Sequence, residues 1–355
     1  MSLRHTPWEE AAEFRIGLRP IAVAAWLEGG EVDPSARKDP LFDAHSALVW
    51  AELDGSRPAQ VEVLELVGSA IGRTVPTQGR PPLLAAGRAV ADDLCLMERR
   101  DGVWRLTALS LCAGSFFTAS EVIGRSLSEL HRPVTGFEDR LLARVARVFD
   151  NLRDDMALER RNWSVVSDAN LFAPDPGPMR AAIGTIDTAK AADALHVRVE
   201  RQTLRRLPVC GGVVFTIRVW IAPLSEIAAE PGRLGRFAQA WRTAHPDFRA
   251  YKKLDLYDDL VARVEPRDGV EDPWSVLGVN VSDEHSGPGV TGVGTADVPA
   301  GDAVVDGDLD RPVGVLAKVY QGGVDSQPGD VDPDRGGVAG RRTDHDDSGQ
   351  DKKLE

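Results

Sequence analysis

The chain has 355 residues, a hydrophobic share of 43% and a formal net charge of −13. That share is enough for a sizeable core, but no run of 18 apolar residues predicts a transmembrane helix, and the first residues lack the apolar stretch of a secretory signal. The three cysteines are widely spaced, which argues against a disulfide framework and a CxxC zinc site. We therefore expect a cytoplasmic protein in a reducing compartment.

The negative charge is concentrated near the C-terminus. Residues 269–355 hold 18 acidic against 7 basic side chains, whereas residues 1–268 hold 37 against 35. The nearly neutral body gives no support for binding to nucleic acid or to an anionic membrane surface. Because residues 269–355 are rich in Gly, Asp, Val and Pro, they predict a disordered acidic tail behind a single domain over residues 1–268. A calcium-binding Asp/Gly repeat is disfavoured, since neither a fixed nonapeptide period nor an EF-hand loop is present.

The first half of the body alternates helical and strand-like patterns. A helix-compatible stretch covers residues 59–72, and residues 92–117 read as strand, turn, strand. The Asp101-Gly102 pair between two apolar runs predicts a hairpin. Residues 118–131 then predict one or two helical turns, broken by Gly124 and ending before Pro133.

The second half repeats this alternation. Residues 136–156 carry apolar side chains at helical spacing, and a strand starts in "NWSVVSD". Residues 195–220 predict a hairpin, and helical segments over 234–244 and 251–265 close the domain. Because strands and helices cluster separately, the fold class predicted is α+β, an antiparallel sheet with helices on one side.

The hairpin "LHVRVERQTLRRLPVCGGVVFTIRVW" has an unusually polar first strand. Since strand side chains alternate, His196, Arg198, Glu200 and Gln202 fall on one face. If that face is solvated, they form ordinary cross-strand pairs. If it lines a pocket, arginine can pair with carboxylates and glutamate can accept from a bound ammonium. Composition leaves both readings open.

Several catalytic fingerprints do not occur. The sequence has no GxGxxG after a strand, no GxxxxGK[ST], no HExxH and no GxSxG. A self-contained nicotinamide, flavin or ATP site of those kinds is therefore not predicted.

Single residues remain as candidates for metal ligation. His131 ends a helical turn, where its imidazole can hold a haem iron on one side or can simply bond the last helical carbonyls, and spacing alone favours the second reading. His196 is the next candidate, although a strand histidine of this kind more often faces solvent. Cys112 could supply a thiolate, but in its apolar strand a small buried hydrophobe is the commoner role.

Six motifs then identify a family resemblance. In chain order they are "FRIGLRPI", "DDLCLMERRDGVWRLTALSLC", "GRSLSELHRPV", "RRNWSVV", "RVERQTLRRLP" and "VVFTIRVW". Together they resemble the haem-binding α-subunit family of haem-dependent oxidative N-demethylases. The resemblance covers the body of the chain and does not include the tail.

The resemblance implies a fold and an activity. Its members have a PAS-like domain whose antiparallel sheet cradles a b-type haem. They use O2 and reducing equivalents to remove a methyl group from a small secondary amine such as dimethylamine, giving a primary amine and formaldehyde. Electrons arrive from separate flavin, iron–sulfur and NADPH-binding reductase subunits.

The resemblance also implies roles for particular residues. His131 matches the family histidine expected to be the proximal iron ligand. Arg198, Arg201 and Arg206 are then candidates for pairing with the haem propionates. Glu200 and Gln202 are expected to orient the substrate or to hold those arginines.

One segment departs from the family pattern. The family commonly has a Phe-Pro-Ser-x-Trp-like stretch where this chain has Ala113-Gly114-Ser115-Phe116-Phe117. If this stretch shapes the distal pocket, the substrate preference of this chain differs from that of family members with the common pattern. The alternatives are a non-catalytic haem-binding PAS module that senses a gas or a redox state, and a family member that has lost haem.

Overall fold

The computed structural model describes residues 3–9, 17–131, 142–230 and 232–264, which belong to one compact unit. The described strands are β1 (Arg19–Ala22), β2 (Trp50–Glu52), β3 (Asp93–Arg100), β4 (Val103–Ser110), β5 (Met156–Val166), β6 (His196–Arg206) and β7 (Val213–Pro223). The described α-helices are α1 (Pro34–Val49), α2 (Arg57–Ala70), α3 (Pro82–Ala89), α4 (Ala119–Val122), α5 (Leu127–His131), α6 (Leu142–Asn151), α7 (Gly177–Ile183), α8 (Ala191–Ala194), α9 (Leu224–Ala228), α10 (Arg233–Thr243), α11 (Pro246–Lys252) and α12 (Asp258–Val264).

The seven strands form one sheet in the order β1-β5-β6-β7-β3-β4-β2, and every neighbouring pair is antiparallel. The α+β class with an antiparallel sheet and flanking helices is confirmed. The PAS-like arrangement stays a prediction. The boundary at residue 268 and the acidic tail lie outside the described residues.

Both predicted hairpins are present. Asp101 and Gly102 join β3 to β4 with φ values of 53° and 78°, the positive angles that a tight two-residue hairpin turn requires. The loop between β6 and β7 is held from outside by the Glu62 carboxylate. Its two oxygens accept from the backbone N–H groups of Val209 (2.7 Å) and Cys210 (3.0 Å).

The predicted helices are present among the described residues with one exception, whereas α1, α3, α7, α8 and α9 were not predicted. Gly124, with φ 78°, separates α4 from α5 as expected. The segment 251–265 is not one helix, so that prediction was wrong: α11 ends at Lys252, a 3-10 turn spans Leu254–Tyr257, and α12 follows. Lys253 adopts a left-handed backbone with φ 53°, which stops α11 in the manner of a C-terminal cap.

The sheet is covered on both faces, so the expectation of helices on one side was wrong. We call the face that carries Leu204 of β6 the front face; it packs against apolar residues of α4, α5 and α6. The back face carries Val197 and Val199 of β6 and packs against α8, α9, α10 and α12. Because both layers bury apolar side chains, β6 is a central strand with two interior faces.

Candidate functional site: a buried polar patch on the front face

The polar row of β6 faces the protein interior. Arg198 is 2% exposed, Glu200 3% and Gln202 0%, whereas His196 at the start of the strand is half-buried. The neighbouring strand β5 extends the row through residues paired with it in register. We call these six buried residues the polar patch: Arg160, Asn162, Ser164, Arg198, Glu200 and Gln202.

Hydrogen bonds tie the centre of the polar patch together. Glu200 accepts from Arg198 Nε through Oε1 (3.1 Å) and from Gln202 Nε2 through Oε2 (3.0 Å). Arg198 Nη2 also donates to the Ala113 carbonyl (2.6 Å). Both carboxylate oxygens of Glu200 are therefore engaged, and the Arg198 guanidinium is fixed in one orientation.

Lys252 adds a further cation to the polar patch. It is the last residue of α11 and only 4% exposed. Burial lowers its pKa from 10.5 to about 8; Glu200 favours the charged form, whereas Arg160 and Arg198 oppose it. The sequence did not predict a role for Lys252, because two adjacent lysines, Lys252 and Lys253, are typical of a solvent-exposed helix surface.

A cavity of about 50 Å³ opens beside the polar patch. Its buried polar lining consists of Ser115, Ser164, Arg198, Glu200 and Lys252. Its exposed rim includes Arg180, Lys253 and Leu256. The volume is well below the roughly 300–1,000 Å³ of sites for drug-sized ligands, so this cavity suits a small molecule.

The segment that departs from the family pattern forms one wall of this cavity. Phe116 has φ 67°, a left-handed conformation that is strained for a bulky side chain. Two backbone hydrogen bonds hold Phe116 in this conformation: Phe116 N donates to the Ala173 carbonyl (2.7 Å), and Ala173 N donates to the Gly114 carbonyl (2.9 Å). Ser115 and Phe116 consequently line the cavity.

His131 lies at the end of α5, on the same side of the sheet as the polar patch. A reciprocal cap fixes the start of this helix: Ser126 N donates to Glu129 Oε2 (2.8 Å) and Glu129 N donates to Ser126 Oγ (3.2 Å). Leu127 and Leu130 pack into the front-face core. These contacts place the His131 side chain in the interior, with 0% exposure.

The hydrogen bond of His131 determines which ring nitrogen is basic. Nδ1 lies 2.5 Å from the Leu127 carbonyl oxygen. Because a carbonyl can only accept, Nδ1 carries the proton and, in the neutral ring, Nε2 carries the lone pair. This is the arrangement by which a backbone carbonyl orients a metal-ligating histidine.

The three arginines predicted to act together are separated. Arg201 is on the back face, where Nε donates to Glu159 Oε2 (2.5 Å) and Nη2 to the Ala25 carbonyl (2.6 Å). Arg206 is at the far end of β6, and its Nη1 donates to the Phe149 carbonyl (2.9 Å). Of the three, only Arg198 belongs to the polar patch.

The other candidate ligands are placed differently. His196 Nδ1 lies 3.1 Å from the Ala194 carbonyl, which therefore accepts from it. Cys112 is fully buried, and burial raises the pKa of its thiol to about 12, so it stays a protonated thiol at neutral pH.

The chemistry of these residues fits a haem. A haem iron needs one imidazole nitrogen, and its macrocycle needs an apolar wall. His131 and the apolar front-face core offer these two groups. In the part of the chain that the structure describes, no group of three or more His, Cys, Asp or Glu residues could hold a metal ion by itself.

The comparison with known families agrees with this chemistry. Residues 65–262, more than half of the chain, match the family model described as haem-dependent oxidative N-demethylase, alpha subunit-like. The matched range contains β3 to β7, His131, the polar patch and Lys252. The family expected from the motifs is confirmed. No described helix combines the length and apolar character needed to span a bilayer.

Proposed function

Because this chain belongs to the haem-dependent oxidative N-demethylase, alpha subunit-like family, we propose that it is the haem-binding subunit of an oxygenase that removes an N-methyl group from a small amine. The observation that carries the proposal is the geometry of His131. A fully buried imidazole whose Nδ1 donates to a backbone carbonyl presents Nε2 as a metal ligand.

His131 would hold a b-type haem iron from one side. When bound, the haem supplies the activation of O2 and the oxidation of the N-methyl group, which leaves as formaldehyde. The chain itself supplies the ligand, the orientation of the ring and a water-poor surround. The bond to the Leu127 carbonyl raises the basicity of Nε2 and prevents rotation of the imidazole.

The polar patch would position the substrate. Glu200 is held by Arg198 and Gln202, so it acts as a fixed negative group rather than a mobile base. Gln202 Oε1 has no hydrogen-bond partner among the described residues although the side chain is fully buried. It is therefore available to accept from an amine N–H.

Among the arginines, Arg198 is the one proposed to serve the site. Arg201 and Arg206 are engaged elsewhere in the fold and act as structural residues in this proposal. Electrons would come from partner reductase subunits that carry flavin, iron–sulfur and NADPH sites. The "alpha subunit-like" description supports such an assembly.

Absorption spectroscopy tests the ligand assignment. Full-length wild-type protein loaded with haem should show a Soret band that shifts on reduction and on addition of carbon monoxide. His131→Ala should lose this ligation, and His196→Ala, which changes a half-buried histidine at the start of β6, is the matched control. A spectrum unchanged in His131→Ala would refute the assignment.

Formaldehyde release tests the reaction. With a competent electron donor and O2, the haem-loaded protein should produce formaldehyde from a small methylated amine, and His131→Ala should not. Haem binding without formaldehyde from any of a panel of methylamines, dimethylamine included, would favour the gas- or redox-sensing alternative.

A further inference from the structure

We infer that the cavity beside the polar patch binds the carboxylate of a small organic anion. That this anion is the amine substrate itself, an N-methylated amino acid, rests on the function proposed above. Three features of the lining support this: its charge, an unsatisfied hydroxyl and a set of apolar residues.

The charged groups lining the cavity are mostly positive. Arg198 and Lys252 lie in its interior, and Arg180 and Lys253 stand at the exposed rim. The negative group among the lining residues is Glu200. Basic groups at both the exposed edge and the interior of the cavity attract anions into it and repel a simple ammonium ion.

Glu200 is poorly placed to reverse this preference. Its two oxygens already accept from Arg198 and Gln202, at 3.1 and 3.0 Å. A dimethylammonium ion would have to share these oxygens with Arg198 and Gln202 and would still lie near the Lys252 ammonium. A carboxylate instead meets the positive charges of Arg198, whose guanidinium is fixed by its bonds to Glu200 and Ala113, and of Lys252, together with the serine hydroxyls.

Ser115 provides an observation independent of charge. Its side chain is 3% exposed, and Oγ has no hydrogen-bond partner among the described residues. A buried hydroxyl that is left without a hydrogen-bond partner destabilises the folded protein. The strained backbone of Phe116 keeps this hydroxyl in the cavity wall, which is expected if a ligand completes its hydrogen bonding.

The rest of the lining fits an organic ligand better than an inorganic anion. The apolar lining residues are Phe116, Val165, Val166, Pro176, Met179 and Leu256. A methyl-bearing carbon skeleton can contact them while its carboxylate contacts the basic groups.

Isothermal titration calorimetry with two matched ligands tests the inference. N-methylglycine and its methyl ester share a skeleton, but only the first has a carboxylate. Haem-free full-length protein should bind N-methylglycine at least about tenfold more tightly than the ester or dimethylammonium, because a carboxylate paired with a desolvated cation gains more than about 1.4 kcal/mol. Equal or tighter binding of the ester or of dimethylammonium would overturn the inference.

Two variants and a control locate the bound carboxylate. Ser115→Ala should weaken N-methylglycine binding about fivefold, the equivalent of one hydrogen bond, while its thermal stability stays the same or rises. Lys252→Met should weaken binding at least tenfold, roughly the effect of one charged partner. Lys190→Gln, an exposed lysine outside the cavity, should change nothing. Unchanged affinity in Ser115→Ala would also refute the site.

Loading with haem distinguishes two sources of the carboxylate. If haem loading abolishes N-methylglycine binding, the site belongs to a propionate of the cofactor, and the assignment to the substrate is overturned. If loaded protein still binds N-methylglycine and releases formaldehyde from it, the site belongs to the substrate. Failure to take up haem would refute the proposed function alone, since the haem-free titration already decides the carboxylate site.

Discussion

Replacing Lys252 with methionine should remove a charge that the fold opposes. Burial lowers the pKa of Lys252 from 10.5 to about 8, despite the favourable influence of Glu200. This lowering of the pKa corresponds to about 3 kcal/mol. The pKa of Lys252 is lower in the folded protein than in the unfolded chain. At pH values between these two pKa values, the unfolded chain therefore binds more protons than the folded protein. Wild-type stability should therefore rise with pH in that window through this residue.

Denaturant titration of both proteins in a carboxylate-free buffer measures this effect. The free energy of unfolding of Lys252→Met minus that of wild type should fall by about 2 kcal/mol from about pH 7 to about pH 9.5, since wild-type Lys252 becomes neutral in the folded state. Lys190→Met, a change at an exposed lysine, should leave the difference constant. A constant difference in Lys252→Met would mean that the folded protein does not oppose this charge.

Three further changes test the surrounding fold. Arg201→Met should lower the free energy of unfolding by about 2–3 kcal/mol, because the buried Glu159 carboxylate and the Trp26 carbonyl lose a donor, yet leave haem uptake, measured by absorbance titration, unchanged. Asp93→Asn should cost about 1–3 kcal/mol in urea unfolding, because the carboxylate accepts from Cys112 N (2.8 Å) and Ala113 N (2.7 Å). The Cys210 thiol should react with a disulfide reagent at about pH 8 about tenfold more slowly than in unfolded protein, because its partly buried surroundings and Glu62 raise its pKa to about 11, which lowers the thiolate fraction more than it raises the nucleophilicity of the thiolate.

Local signals predicted part of this fold, including both hairpins and helices α2 and α10, but not α1, α3 or α7. The Asp101-Gly102 turn and the break at Gly124 depend on positive φ angles that neighbouring residues determine. Local signals could not predict which face of the sheet each helix covers. Which face a helix covers depends on contacts between residues far apart in the chain.

The polar row of β6 shows why burial was not predictable. Alternation correctly placed Arg198, Glu200 and Gln202 on one face, but the groups that enclose this face, the Ala113 and Leu171 carbonyls and Lys252, are distant in sequence. The same alternation could have separated the arginines. Arg198 and Arg201 are three residues apart and must face opposite ways. Arg206 is eight residues from Arg198, about 27 Å along an extended strand.

Lys252 and Ser115 were missed because each acquires its role from an irregular backbone. A regular helix over 251–265 would have made Lys252 one more residue on an amphipathic surface. The left-handed Lys253 instead ends α11 at Lys252, so the terminal side chain lies against the polar patch rather than along a continuing helix. Ser115 similarly depends on the positive φ of Phe116, a conformation that no residue preference predicts for phenylalanine. Both irregularities border the same cavity. The strained backbone of Phe116 is more economically explained by a ligand in this cavity than by the stability of the fold, which a left-handed phenylalanine lowers.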